Sequence, residues 1–403
     1  QRIVRCFRSG YGNVAAVQVW ASSGECRIGD RVENGDYLRN VTNQVWPAKC
    51  ERGASDMRQA VMTSPGNIEI NEVHKPQPKK GEVLVKVMSI GVCGSDVHVY
   101  HGLHPYTSYP VVQGHEASCV VEETGPGVTG IAPGTRVTIE PQVSCGECYS
   151  CKTGLYNICD KLRVIGFQTT GCASDYYIVP ADKLVKLDPA MSFHHGALME
   201  PLSVGVRAVK QAFPAGLDDI GGKQVLVLGA GPIGNLVAQA AKGLGAASVM
   251  IVDVNSFRLE KARECGISLT VNSEDEDLAA EIDAHFGVDR KADVIFECVG
   301  VNATMDSAVA VARKGTPIVV VGVFGEKANI DMATVNENEL RLIGTARYVI
   351  EDFEVAKELV AAGKVNLEPL VTDVFSFDKY DAAYQKIELE PATTMKVVVQ
   401  VNK

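Results

Sequence analysis

Short apolar stretches separated by turns fill the first part of the chain. Residues 57–62, 68–73 and 82–90 are such stretches, and residues 111–123 and 135–141 continue the pattern. Within the third stretch, valines alternate with other residues, as expected for a strand with at least one buried face. Short strands broken by Gly and Pro turns at this density predict an all-β, barrel-like domain.

Continuous apolar runs begin near residue 222. Residues 224–228, 248–252, 293–297 and 316–321 are apolar or nearly so at consecutive positions, as in parallel strands buried on both faces. Residues 232–243 have a helical pattern between the first two runs, and further helical patterns precede the later ones. Alternating strands and helices predict a doubly wound parallel sheet, so the fold class is α/β.

A glycine-rich turn follows the first of these runs. Gly229, Gly231 and Gly234 match G-x-G-x-x-G, and Pro232 and Ile233 open the helix. The first glycine permits a tight turn, the second lets the backbone approach a pyrophosphate, and the third lets helix and strand pack closely. The helix N-terminus offers free N–H groups to the phosphates, so this context predicts a dinucleotide site.

The strand after this helix ends in an acid, Asp253. A carboxylate at this position can accept hydrogen bonds from both ribose hydroxyls, and its charge repels a 2′-phosphate. This favours NAD over NADP. NADP remains an alternative, because Arg258 could reach the adenosine end of the cofactor. Four further residues are assigned to the same cofactor site: Val299, Gly300, Val321 and Gly322.

Four cysteines lie within fifteen positions, with the spacing C-x2-C-x2-C-x7-C. They are Cys145, Cys148, Cys151 and Cys159. Four thiolates close a tetrahedron around zinc and leave no open position, which is typical of a structural site. This cluster is hard to explain by packing, and we predict that zinc folds the loop around it.

A second candidate metal site lies earlier in the chain. Cys93 stands in the segment GVCGSDVH at residues 91–98, and His115 and Glu116 follow in the segment GHE at residues 114–116. Thiolate, imidazole and carboxylate are all zinc ligands, and a catalytic zinc needs three protein ligands and one open position.

Composition narrows the function classes. The 403 residues carry a formal net charge of −10, which argues against a general nucleic-acid binder. No apolar run reaches the roughly 18 to 20 residues that span a bilayer, and no secretory signal is evident. Because the 12 cysteines crowd at metal-binding spacings, we expect a reducing cytoplasm.

With these motifs in place, residues 57–403 resemble the zinc-dependent medium-chain dehydrogenase/reductase family, most closely its polyol (sorbitol, or L-iditol 2-) dehydrogenase branch. The resemblance rests on both metal motifs, the segment ALMEPLS at residues 197–203, the glycine-rich turn, and Arg347-Tyr348. It implies a GroES-like, β-barrel-type catalytic domain and a Rossmann domain. The implied domains are 1–56, which has no assignment, 57–206 as the first part of the catalytic domain, 207–340 as the NAD-binding domain, and 341–403 as the second part of the catalytic domain.

The resemblance also assigns roles to single residues. Cys93, His115 and Glu116 are implied to bind the catalytic zinc. Glu200 matches a position that binds zinc or holds its water, so the third protein ligand stays open between Glu116 and Glu200. Four more residues are implied to act on the substrate, Ser95 and His98 in proton release and Arg347 and Tyr348 at the hydroxyls of a polyol.

The function expected from these features is hydride transfer from a secondary alcohol of a polyol to NAD, giving a ketose. Alternative substrates are threonine, butanediol or a polyol phosphate, and a non-catalytic zinc- and nucleotide-binding protein is the rival outside enzymes. By resemblance we expect a homotetramer or homodimer. Cys119 departs from the family, which has glycine there.

Residues 1–56 have no counterpart in the resemblance. Alternation at residues 14–20 predicts strands, and three cysteines at wide spacing (Cys6, Cys26 and Cys50) give no disulfide or metal framework. Asn40 begins a sequence that matches a glycosylation acceptor. We expect the enzyme itself to begin at Met57.

Overall fold

The structure is a computed structural model that describes residues 57–403 and, before them, the backbone of three strands and of Asp56. The strands are β1 Val4–Arg8, β2 Ala15–Trp20, β3 Cys26–Asp30, β4 Asp56–Ser64, β5 Asn67–His74, β6 Glu82–Gly91, β7 Glu116–Thr124, β8 Arg136–Ile139, β9 Gln142–Val143, β10 Arg163–Val164, β11 Tyr176–Pro180, β12 Leu184–Lys186, β13 Gln224–Leu228, β14 Ser248–Asp253, β15 Leu269–Asn272, β16 Val294–Glu297, β17 Pro317–Val320, β18 Arg341–Gly344, β19 Val371–Ser376 and β20 Lys396–Gln400.

The α-helices are α1 Gly94–Tyr100, α2 Tyr149–Lys152, α3 Phe193–Ala197, α4 Met199–Ala212, α5 Pro232–Gly243, α6 Ser256–Glu264, α7 Leu278–Phe286, α8 Asn302–Val311, α9 Met332–Glu337, α10 Ile350–Ala361 and α11 Tyr380–Leu389. The chain divides into two compact units. The first comprises Gln1–Gln59 with Asn71–Lys75, and the second comprises Ala60–Ile70 with Pro76–Lys403.

The first unit contains a three-stranded antiparallel sheet in the order β1-β2-β3. The alternation at residues 14–20 predicted a strand there, and β2 occupies most of it. The expectations for Cys6, Cys26, Cys50 and Asn40 concern side chains that lie outside the described residues.

In the second unit, a sheet with the order β12-β8-β7-β6-β20-β19 is built around β6. One edge of β6 pairs with β7, and its other edge is shared by β11 and β20. Both faces of β6 are covered, so Val83, Val85 and Val87 are buried, and so is Leu84 between them. This is the strand-rich, GroES-like part predicted from the short apolar stretches.

One boundary in this part differs from the prediction. Residues 111–123 were expected to form one strand, but β7 begins only at Glu116. Gly114 has a φ of 91°, in the left-handed region that side chains disfavour, and this turn interrupts the extended backbone before the strand. As a result, His115 lies directly before the first residue of β7, at the end of the sheet.

The continuous apolar runs form a six-stranded parallel sheet in the order β15-β14-β13-β16-β17-β18, the doubly wound arrangement. Its central strand β13 is apolar from Val225 to Leu228 because each face of the sheet packs on a separate core. Val225 and Val227 contribute to one cluster, with α4, α5 and α10, whereas Leu226 and Leu228 contribute to the other, with α7 and α8. The predicted α/β class is therefore confirmed.

The last strand of this sheet, β18, begins at Arg341. The parallel sheet thus continues past residue 340, where the sequence places the end of the NAD-binding domain. The domain boundaries therefore stay predictions. Among the helices of the described residues, none combines the length and apolarity required to cross a membrane.

Candidate active site

Three predicted zinc ligands converge at the ends of β6 and β7. Cys93 lies at the start of α1, His115 directly precedes β7, and Glu116 is its first residue. One ligand atom from each lies within 4.8 Å of the others, with Cys93 partly exposed and the other two buried. Sulfur, nitrogen and oxygen donors at this separation fit a zinc ion that keeps one position open.

Asp96 holds Cys93 in place and lies beside His115, although it is not among the residues predicted from the sequence. Its Oδ2 accepts a hydrogen bond from the backbone N–H of Cys93 at 3.0 Å, and its Oδ1 lies 3.4 Å from Nδ1 of His115. A carboxylate behind a histidine ligand fixes the orientation of the ring. The signal was present in the sequence, because an acid three residues after Cys93 is placed to cap α1.

Glu116 is fully buried and faces a buried cation. Nζ of Lys396, the first residue of β20, lies 2.7 Å from Oε1 and 2.8 Å from Oε2 of Glu116. Gly91 stands opposite Glu116 in the β6–β7 ladder. A Cβ at Gly91 would lie 2.1 Å from Oε2 of Glu116, so this glycine makes room for the carboxylate.

Glu200 lies in the first turn of α4 and is 6% exposed. Its Oε1 accepts a hydrogen bond from the hydroxyl of Tyr348, which is itself buried. Burial raises the pKa of Glu200 to about 7, and the charge of Glu116 adds to the rise. The structure therefore brings Glu200 and Tyr348 together, a contact that was not predicted from the sequence, and Glu200 lies outside the three-ligand cluster.

Ser95 and His98 both lie on α1, one turn apart, with Ser95 partly buried and His98 exposed. Among the described residues, no hydrogen bond joins their side chains. The exposed His98 has access to solvent, whereas Ser95 stands two residues from Cys93.

An aromatic wall beside the cluster was missed by sequence reasoning. Phe167 packs on His115 with ring centroids 4.9 Å apart, and His104 stacks on Phe167 with ring centroids 4.8 Å apart. Thr107 bonds Nδ1 of His104 at 2.8 Å and fixes that ring. Nothing in the local sequence marks these residues, because the contact joins a loop near residue 104 to a separate loop near residue 167.

The four-cysteine lobe is assembled as predicted. The sulfur atoms of Cys145, Cys148, Cys151 and Cys159 all lie within 4.8 Å of one another. The N–H of Cys145 donates to Sγ of Cys159 at 3.3 Å, and backbone hydrogen bonds from Asp160 and Cys151 lower the pKa of Cys148 to about 6. Backbone donors that stabilise thiolates fit a closed tetrahedral zinc site.

The glycine-rich turn connects β13 to α5, as its motif requires. A Cβ at Gly234 would lie 1.9 Å from the carbonyl oxygen of Gly229, so the helix and the turn pack as closely as predicted. A Cβ at Gly231 would meet no atom within 4 Å, and the turn is open on that side. This open face at the N-terminus of α5, where Pro232 and Ile233 begin the helix, fits a pyrophosphate.

Asp253 ends β14 beside this turn. Its Oδ2 accepts a hydrogen bond from the N–H of Ala230 at 2.7 Å, and Nη1 of Arg258 lies 3.8 Å from the same oxygen. Both residues predicted for the adenosine end are therefore adjacent to the glycine turn. Arg258 also has a buried Nε with no partner among the described residues.

The remaining predicted cofactor residues lie in the segments that follow β16 and β17, close to the glycine turn. A Cβ at Gly229 would lie 2.6 Å from Val299, and a Cβ at Gly322 would lie 2.2 Å from the N–H nitrogen of Gly300. Val321 precedes Gly322 and donates its N–H to the carbonyl of Glu297 at 2.8 Å. These loops therefore meet at the carboxyl ends of adjacent strands, where doubly wound sheets bind dinucleotides.

Comparisons with known proteins agree with this geometry. Residues 79–189 match the alcohol dehydrogenase GroES-like domain, and residues 232–362 match the zinc-binding dehydrogenase domain. The 2-dehydro-3-deoxy-L-galactonate 5-dehydrogenase of Pseudoalteromonas atlantica is 37% identical over 340 residues, which cover 84% of this chain and 97% of the relative. Sorbitol dehydrogenase 1 of Saccharomyces cerevisiae is 38% identical over 335 residues, which cover 80% and 92%.

A solved structure from Escherichia coli CFT073, described as a short chain alcohol dehydrogenase complexed with NADH, is also similar. It has a TM-score of 0.78 and 32% identity, and the match covers 86% of this chain and all of that one. The shared domains, the metal clusters and the dinucleotide turn lead to one conclusion: the chain belongs to the zinc-dependent medium-chain dehydrogenase/reductase family, on its polyol dehydrogenase branch, as an alcohol dehydrogenase with zinc and NAD as cofactors.

Proposed function

We propose that the enzyme oxidises a secondary alcohol of a polyol to the corresponding ketose. In this reaction the carbinol carbon gives a hydride to NAD and the hydroxyl group gives its proton to solvent, so the products are ketose, NADH and a proton. The observation that carries the proposal is the buried Glu200–Tyr348 pair beside the three-ligand cluster.

The proposed zinc ligands are Cys93, His115 and Glu116, because their donor atoms already cluster. Zinc in this position supplies Lewis-acid polarisation of the substrate hydroxyl. Glu116 can serve as a ligand while Lys396 balances its charge, since a carboxylate has two oxygens and about four acceptor positions. Glu200 is then left to hold water or a substrate hydroxyl from the facing helix.

Glu200 favours a polyol over a simple alcohol. A buried carboxyl group at this position can form a hydrogen bond with a hydroxyl group next to the reacting one. Tyr348 fixes one of its oxygens. Arg347 directly precedes Tyr348 and is exposed, and the guanidinium N–H groups that do not bond Asn157 offer further donors to hydroxyl oxygens.

Proton release is assigned to α1. Ser95, close to Cys93, would take the proton of the substrate hydroxyl, and the exposed His98 would pass it to water. Ser95 and His98 both lie on α1, which begins directly after the zinc ligand Cys93. Their order along the proton route, from the metal site to solvent, is therefore fixed.

A sugar acid is the second candidate substrate. Arg347 favours it, because a guanidinium recognises a carboxylate as well as it does a hydroxyl group. One relative is named for 2-dehydro-3-deoxy-L-galactonate, which is such an acid. Threonine also carries a carboxylate, so the same argument applies to it, whereas butanediol has no carboxylate.

A substrate panel tests the proposal. We would measure NADH formation with sorbitol, xylitol, galactitol, galactonate, threonine and butanediol at matched concentrations. The proposal expects the highest kcat/KM with a neutral polyol. A preference for galactonate or threonine would favour the second candidate, and absence of turnover with every alcohol, despite bound zinc and NAD, would contradict both.

Two broader expectations belong to the same proposal. We propose that the protein acts in the cytoplasm and that it forms a homodimer or homotetramer. Light scattering of the purified protein tests the second expectation, because a monomer at micromolar concentration would contradict it.

A further inference from the structure

Residues 346–350, the segment that contains Arg347 and Tyr348, form hydrogen bonds with residues in the four-cysteine lobe and next to it. Nδ2 of Asn157 donates to the carbonyl oxygen of Ala346 at 2.8 Å, and Nη1 of Arg347 donates to the carbonyl oxygen of Asn157 at 2.9 Å. Asn157 therefore bonds this segment with its side chain and with its backbone. It lies two residues before the lobe cysteine Cys159 and is 2% exposed.

Two more hydrogen bonds act on the same segment. The N–H of Ile350 donates to the hydroxyl of Tyr156 at 2.6 Å, and Nε2 of Gln142 donates to the carbonyl oxygen of Tyr348 at 2.7 Å. Tyr156 is held in turn, because Nζ of Lys183 lies over its ring, 5.4 Å from the ring centroid, and Lys183 itself bonds Glu140 at 2.7 Å. Residues 346–350 are thus bonded at four points.

The backbone of this segment requires such support. Arg347 has a φ of 53°, in the left-handed region that a non-glycine residue rarely adopts. A residue in this conformation persists only where its surroundings fix it. The bonds on both sides of Arg347 supply that constraint, and they direct Tyr348 to Glu200.

We propose that Asn157 and Tyr156 are positioning residues for the substrate-binding pair, so that the four-cysteine lobe sets the geometry of the substrate pocket. This proposal rests on the proposed function, in which Arg347 and Tyr348 contact the substrate. Asn157 and Tyr156 do not contact the reacting atoms and act through the loop alone.

The test compares Asn157→Ala, Asn157→Asp and Tyr156→Phe with the wild-type enzyme. Asn157→Asp keeps the shape but removes the donor to Ala346. Tyr149→Phe is the matched control, because it removes a tyrosine hydroxyl in the same lobe from a side chain that is 80% exposed. Zinc content, hydrogen–deuterium exchange of residues 346–350, and KM for the polyol and for NAD are measured for each.

The proposal expects unchanged zinc content, faster exchange at residues 346–350, and a KM for the polyol raised about tenfold, as for loss of one hydrogen bond, with KM for NAD unchanged. The control should match the wild type. The proposal would be overturned if Asn157→Ala and Tyr156→Phe showed the same exchange rate at residues 346–350 and the same KM for the polyol as the wild type. It would also be overturned if the KM for NAD rose as much as the KM for the polyol.

The exchange measurement separates this proposal from the proposed function. If the wild-type enzyme oxidised no polyol, the proposed function would fail, whereas exchange at residues 346–350 would still decide whether Asn157 fixes the loop. If the enzyme oxidised polyols and the variants exchanged like the wild type, only the positioning role would fail. Should Asn157→Ala not fold, Tyr156→Phe decides by the same criteria.

Discussion

Lys396 and Glu116 form a buried ion pair in which one ammonium group contacts both carboxylate oxygens, at 2.7 and 2.8 Å. Glu116 is 0% exposed and Lys396 is 4% exposed. The pair joins the first residue of β20 to the first residue of β7, although they are 280 positions apart in the chain. It thereby ties the end of the chain to the proposed metal site.

Replacing Lys396 by Met should destabilise the protein, because it leaves the carboxylate buried without its cation. We expect a loss of about 3–5 kcal/mol in the zinc-free protein, read as a shift of the urea unfolding midpoint. Lys161→Met is the control, since it breaks an exposed pair with Glu147 and should cost less than about 1 kcal/mol. Equal shifts of the unfolding midpoint in Lys396→Met and Lys161→Met would show that the buried pair does not stabilise the protein more than the exposed pair does.

Gly91→Ala should impair the metal site without removing a ligand. The added Cβ would lie 2.1 Å from Oε2 of Glu116 and force the carboxylate to move. Because displacement by about 1 Å can reduce catalysis roughly hundredfold, we expect a fall of that size in kcat/KM. Gly94→Ala is the matched control, as a Cβ there meets no atom within 4 Å. Similar activity in the two variants would refute this role for Gly91.

Cys148→Ser should release zinc from the four-cysteine lobe. A three-thiolate remnant no longer closes the tetrahedron, so the loop around it should become sensitive to protease. Metal analysis and limited proteolysis check both effects. Cys265→Ser serves as the control, since Cys265 is a buried thiol outside either cluster. Full metal content in Cys148→Ser would argue against a zinc site in the lobe.

Asp253→Ser should relax the preference for NAD. The substitution removes the negative charge beside the glycine turn, while Arg258, whose Nη1 lies 3.8 Å from that carboxylate, remains available to a 2′-phosphate. We expect the ratio of kcat/KM with NAD to that with NADP to fall by at least about tenfold. Asp289→Ser, at an exposed acid, is the control. An unchanged ratio would show that Asp253 does not select the cofactor.

The parts predicted well from sequence are those encoded by local spacing. Four cysteines within fifteen residues, and a glycine turn between a buried strand and a helix, specify their own geometry, and the structure assembles both. The fold class could be predicted for a similar reason. The period and the length of the apolar stretches distinguish strands buried on both faces from short strands separated by turns.

The parts that were missed depend on contacts between distant segments. Lys396 reaches Glu116 only because β20 pairs with β6, and no local pattern marks that lysine. The same holds for Asn157, which meets Ala346 across 189 positions. Asp96 was different, since its position after Cys93 could have identified it as a capping residue.

The most direct test of the account is the location of zinc in crystals of the enzyme, measured by anomalous diffraction at the zinc absorption edge. The account predicts one peak among Cys145, Cys148, Cys151 and Cys159, and a second bonded to Cys93, His115 and Glu116. Glu200 should lie outside bonding distance of the second peak and keep its hydrogen bond to Tyr348. A second peak bonded to Glu200 in place of Glu116, or no second peak in zinc-saturated active enzyme, would contradict it.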